Sequence, residues 1–191
     1  MKKMLIAALV GGLLLFAWGF VSHMLLPLGH MGLSVLPPAA EAGVIGGLKG
    51  NLTEPGLYFF PGVDNWPSPS DADLETQDAK AKSGPAGLMV VEPVGSGMSN
   101  FAWQLVKELI SNFVCALAMA VVLMHVPKSM GFLRRVGVGT LLGAYGAMDI
   151  EASYNTFHHF PGSYFSAQSI IAIGGACVAA IGVAALTDAP E

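Results

Sequence analysis

Charge is what this sequence has least of. Of 191 residues, 12% are Asp, Glu, Lys or Arg, against roughly 25% in a soluble domain. That scarcity excludes a disordered chain, which stays solvated through its charge, and argues against a water-soluble enzyme. Basic residues are the scarcer sign, 9 against 13 acids. None form a block that could neutralise phosphates, so a nucleic-acid partner is excluded. Two cysteines cannot build a disulfide scaffold. Gly-x-Ser-x-Gly, P-loop, dinucleotide, HExxH and CxxC patterns are missing, which speaks against an enzyme. What the chain has in excess is hydrocarbon: 53% hydrophobic residues and a mean hydropathy of +0.60. The composition is that of a small polytopic membrane protein.

A bilayer core about 30 Å thick takes roughly 20 apolar residues per helix. Four stretches qualify, at about residues 4–26, 101–126, 136–152 and 164–186. The third is short and Gly-rich. The expected fold class is therefore an all-α membrane protein: a four-helix transmembrane bundle in a single domain, 1–191, with a structured outer loop at 27–100. Lys2 and Lys3 ahead of an apolar run resemble a signal peptide. The run is longer than the 7–15 residues of a signal core, and no clean small-x-small site follows it, so it reads as an uncleaved signal anchor. Lys2, Lys3, Lys128, Arg134 and Arg135 flank one side of the spans with no acid among them. The outer loop holds eight acids against Lys49, Lys80 and Lys82. By the positive-inside rule both termini face the cytoplasm, in a bacterial inner membrane. Tyr154, Phe157, Phe160, Tyr164 and Phe165, with Trp18, Phe20 and Trp103, gather near the outer ends and read as an interfacial belt.

The outer loop is too long to be a plain connector. Val44, Ile45, Leu48 and Leu52 at helical spacing predict a short amphipathic helix over 39–51. Leu57–Phe60 and Gly87–Val91, bounded by Gly and Pro, predict an antiparallel strand pair. Residues 63–85 between them read as a mobile or partly helical insertion.

In lipid, helices associate through close approach of small residues. Gly139-x-x-x-Gly143 followed by Gly146, Gly175-x-x-x-Ala179 followed by Gly182, and Ala8-x-x-x-Gly12 supply such faces. They predict a tight bundle without a wide aqueous pore, or a face for another subunit or a second copy. Both readings stay open at this point.

Ionisable groups in membrane helices are functional candidates by default, and here nearly all fall near the outer interface. His23-Met24 and His30-Met31 repeat a pair seven residues apart. With His158, His159, Asp149 and Glu151 they offer imidazole, thioether and carboxylate ligands suited to copper, iron or haem. The blander reading is a set of solvated interfacial side chains, because Pro27 and Gly29 break the helix between the two pairs. Glu108 and Asn112 lie one turn apart on the second span beside Lys107, and below them that span is dry. A continuous proton or ion relay is therefore not expected, and neither is a transporter. Cys115 and Cys177 read as small apolar residues.

Three segments, Gly11–Met24 (GGLLLFAWGFVSHM), Pro55–Pro61 (PGLYFFP) and Tyr154–Phe165 (YNTFHHFPGSYF), together with the four-span layout, resemble a family of small bacterial inner-membrane proteins with no assigned activity. The resemblance implies the same layout and brings no catalytic residues. It also implies aromatic residues where this chain has His158 and His159. The functional expectation is a non-enzymatic accessory or structural subunit of a larger inner-membrane complex. The alternative is a metal- or haem-binding redox protein with its site at the outer face.

Overall fold

The computed structural model describes residues 1–95 and 97–187. Among them the chain is mostly helical, with six α-helices and one two-stranded sheet. It divides into two compact units, one formed by residues 1–33 together with the chain from 97 onward, the other by residues 34–96.

The first unit is a bundle of four long helices: α1 (Lys2–Phe20), α4 (Phe101–Met124), α5 (Phe132–His158) and α6 (Gly162–Leu186). Three of the resulting helical stretches, Lys2–Leu25, Gly97–Met124 and Gly162–Leu186, are long and apolar enough to cross a membrane. The third predicted span differs. Instead of a short stretch at 136–152, α5 is 27 residues long. It takes in Arg134 and Arg135 at one end and Asp149 and Glu151 near the other, which dilutes its hydropathy.

α1 packs along both α4 and α6, and α6 packs along both α1 and α5. Neighbours run antiparallel: Gly11 meets Val183 and Ala116, Gly12 meets Phe113, and Gly175 meets Leu15 and Trp18. The core is built mostly of alanine (Ala7, Ala8, Ala120, Ala179 and Ala180 among others), and among the described residues the largest fully buried side chains are Leu123, Val183 and Ser22. Small side chains let the backbones come close, which is the source of helix attraction when lipid is as apolar as leucine. A Cβ on Gly139 would lie 2.6 Å from that of Ala180, and one on Gly143 would fall on the Cβ of Ala176. Gly182 gives the same close fit to Leu14 at 2.6 Å. Gly146 is different, with nothing within 4 Å of where its Cβ would stand. The α5 stripe advances by fours, from Gly139 through Gly143 to buried Ala147, and so passes Gly146 by.

Beyond Phe20 the first helix widens into a π turn, Val21–Leu25, closed by Leu26 N–H donating to Val21 O at 2.9 Å. Leu26 is extended, as the residue before a proline is biased to be. The chain then folds back, so that Gly29 sits against His23 and Gly32, at φ +78°, against Tyr164. A side chain at Gly32 would be excluded twice, by the positive φ and by the Tyr164 backbone 2.5 Å from its Cβ.

The second unit holds α2 (Pro38–Leu48), β1 (Gly56–Phe60), α3 (Asp71–Ser83) and β2 (Gly87–Val91). The strands pair antiparallel with Leu57 opposite Val90 and Phe59 opposite Leu88, as their sequence predicts. The insertion is helical over α3, started by a capping box in which Ser70 and Asp73 satisfy each other's backbone N–H groups. The α2 helix forms, but it is not amphipathic. Glu41 is its one polar side chain, it is apolar on every face, and none of its residues is buried.

Candidate functional site

Two places in the bundle hold groups with a defined chemical environment, and both arise from how α4 and α5 meet. These helices touch over a short length only, and contact is clear towards the end where Met119 of α4 approaches Gly139 of α5. Farther along α4, Phe101–Ser111 is exposed throughout. Between the two helices a cleft of about 440 Å³ remains. Cys115, Ala118 and Met119 form one wall, Leu142 and Gly143 the other. Ala172 and Ala176 of α6 make the floor, with Leu15 of α1 behind. No lining side chain carries oxygen or nitrogen. The lining is mostly hydrocarbon, with the Cys115 thiol and the Met119 thioether as its side-chain heteroatom groups.

The helix ends beneath the cleft are tied by Arg135. Its sequence setting suggests a loop cation, but the side chain is only 5% exposed. Nη1 donates to Ala184 O at 3.0 Å, and Nη2 donates to Leu123 O at 3.1 Å, Thr187 O at 3.2 Å and Thr187 Oγ1 at 2.7 Å. Thr187 Oγ1 in turn donates to Val183 O at 2.8 Å. The guanidinium therefore caps the C-terminal carbonyls of α4 and α6 together, where each helix places about half a negative charge. A planar fork of donors suits this task; a lysine ammonium does not. Nε alone lacks a partner.

Trp18, expected in an interfacial belt, also makes contacts within the bundle. It is partly buried, packs over Gly174 and Gly175, and donates from Nε1 to Ile171 O at 2.8 Å. Lys107 sits 5.8 Å over the Trp103 ring, within cation–π range.

The predicted outer-face ligands occupy several different settings. His23 lies in the π turn with Nδ1 2.9 Å from Gly19 O and 3.1 Å from Ser22 Oγ. A carbonyl only accepts, so Nδ1 is the donor to Gly19 O. His30 closes a short 3₁₀ turn after Pro27. His158 ends α5 with its ring 5.6 Å from that of Tyr154, and His159 takes the left-handed conformation that stops the helix. Phe160 then folds back, stacking on Tyr154 at 5.0 Å and meeting Tyr164 edge-on at 5.4 Å. Asn155 Nδ2 secures the turn by donating to Phe160 O at 2.7 Å. Asp149 is exposed and Glu151 partly buried on α5. Among the described residues, no three His, Cys, Asp or Glu side chains come together as they would to hold a metal ion.

Comparison with known proteins adds no assignment: no family model, curated protein or solved structure matches the chain.

Proposed function

We propose that this protein is a non-enzymatic polytopic integral membrane protein that serves as an accessory or structural subunit of a larger assembly in a bacterial inner membrane. The observation that carries this reading is the apolar face of the outer unit's sheet. Leu57 and Phe59 of β1 share one face with their cross-strand partners Val90 and Leu88. Leu57, Phe59 and Val90 are exposed, Val90 to 82%. A folded unit rarely leaves such a face open unless something docks on it.

Four traverses fit the same reading. A helix of 27 residues is about 40 Å long at 1.5 Å per residue, enough to accompany α6 across the bilayer. By the positive-inside rule, Arg134 and Arg135 together with Lys2 and Lys3 support a cytoplasmic side for both termini.

Purification of the full chain in mild detergent tests the proposal. The expected result is a discrete partner in fixed ratio that is lost in Val90→Asp while the bundle unfolds as before. A wild-type chain that elutes alone, or a partner indifferent to Val90→Asp, overturns it.

A second reading, a redox protein binding copper, iron or haem at the outer face, rests on the His23 imidazole, whose Nδ1 is held at Gly19 O and Ser22 Oγ. Elemental analysis with an optical spectrum tests it. Stoichiometric metal lost in His23→Ala would establish it, and metal-free protein from replete cells would end it.

A further inference from the structure

We propose that α2 is inserted in the membrane, lying in the hydrocarbon of one leaflet just beneath the lipid headgroups. Residue for residue it is as apolar as α4, a helix long enough to span. Yet every residue from Pro38 to Gly47 is exposed, and Leu48 is only half-buried. An apolar segment of this length is a buried core helix or else an interfacial or re-entrant one. With none of its residues buried, α2 is not the first. Its 11 residues make about 16 Å of helix, roughly half the thickness of a bilayer core, so it does not cross.

The pattern around the helix selects its surroundings. A helix that docks on a protein face, or floats on a membrane surface, keeps a polar side for water. In α2, Val44, Ile45 and Leu48 share one side and Ala39, Gly43 and Gly47 the other, and the one charge, Glu41, stands in the first turn. A helix apolar all round needs an apolar medium all round, which a leaflet supplies and a single protein face does not. Lipid also demands that backbone groups find partners within the chain, and the ends of α2 meet most of that demand. Pro38 has no N–H, and Ala40 and Glu41 donate theirs to Pro37 O at 2.8 and 3.0 Å. At the other end Ile45 O accepts from Lys49 N–H at 2.9 Å, and Leu48 O from Leu52 N–H at 3.0 Å. Gly47 O accepts from Asn51 Nδ2 at 2.8 Å. Glu41 near the start and Lys49 just past the end keep both ends within a side chain's reach of the headgroups, so the axis runs along the leaflet. The tether is short. Gly32 lies against Tyr164, near the start of a candidate span, and the five residues from Leu33 to Pro38 reach at most about 18 Å. Leu33, Val35 and Leu36 on that tether are themselves exposed, so the apolar stretch continues from the span into α2.

Quenching from within the lipid tests the insertion. In the full chain with Cys115→Ala and Cys177→Ala, a nitrobenzoxadiazole fluorophore is attached singly through Ala42→Cys, Gly43→Cys, Val44→Cys or Ile45→Cys. Successive helical residues turn by about 100°, so these four positions sample every side of α2, and all four are exposed. Glu75→Cys, exposed on α3, and Val114→Cys, exposed on α4, are the aqueous and membrane references. Each variant is placed at one chain per phosphatidylcholine nanodisc. A nitroxide on the acyl chains is expected to abolish fluorescence at all four α2 positions, as at Val114 and unlike Glu75. Quenching confined to one side of α2 overturns the proposal and shows the helix packed on protein. Quenching by aqueous iodide rather than by the lipid nitroxide leaves α2 in water and overturns it as well. If the α2 positions escape the nitroxide while Val114 does not, the insertion alone fails; if Val114 escapes too, the membrane reading of the whole chain falls with it.

Discussion

Arg135 shows how one side chain can change role between sequence and fold. Next to Arg134 in a short basic stretch it reads as a topogenic charge, yet it is the buried tie of three helix ends. The clue was present in the spacing. Arg135, Gly139 and Gly143 follow one another by fours, so the packing stripe traced one turn back reaches Arg135 and leaves Arg134 outside. Arg135→Met should lower stability on the order of 3 kcal/mol, since hydrogen bonds from a charged donor contribute about 1.5–3 kcal/mol each and the carbonyls they serve would be left bare. Arg135→Lys should recover part of the loss, because an ammonium cannot span acceptors on two helices at once. Unfolding in a denaturing-detergent titration measures both. Asp73 supports a second prediction at this scale. The Asn65 amide, the Ser70 N–H and the Ser70 hydroxyl hold its carboxyl below the ordinary carboxylate value. Its contribution to the α3 cap is therefore complete above the unfolded value, about pH 3.9, and is lost as pH falls through the lower folded value. Amide exchange at Ser70 should be flat from pH 7 to about pH 5, after correction for intrinsic rates, and protection should fall only in stronger acid; Asp73→Asn should lack the protection throughout.

At the scale of elements, the strands and the α3 helix of the second unit follow from local chemistry. Gly56 and Pro61 bracket an aromatic run, and Ser70 with Asp73 provides a helix start. The bounds of α5 were less legible, because the hydropathy that marks a span falls away at Arg135 and Asp149 while the helix continues to His158. Trp18 was legible as an aromatic but not as a partner, since its contact lies 153 positions away at Ile171. Gly143→Leu tests the α5–α6 contact. A side chain there meets Ala176 and the Ala172 carbonyl, so the variant should lose bundle stability by about 1–3 kcal/mol or more, as overpacking does. Gly146→Leu, facing open space, should be nearly silent. Equal effects in both would mean that the stripe does not pack as described.

For the whole molecule, three of the four expected spans were readable from hydropathy and satisfy length and composition; α5, where the fourth was expected, does not meet that test. The cleft was not readable. It depends on how far α4 diverges from α5, a property of two helices that are close in sequence and apart in space. The proposed topology predicts that reporters fused at either terminus act in the cytoplasm and that one inserted after His159 acts outside. A terminus found outside would overturn the orientation and the assignment of α5 as a traverse.

The position of the Arg135 partners along the chain has a consequence for biogenesis. Leu123 is made before the arginine, but Ala184 and Thr187 are made about fifty residues after it. Until the end of α6 is made, Arg135 has only one of its four hydrogen-bond acceptors, the Leu123 carbonyl. A chain cut before residue 184 leaves three of those four bonds unmade and is expected to lack the tie between α4 and α6.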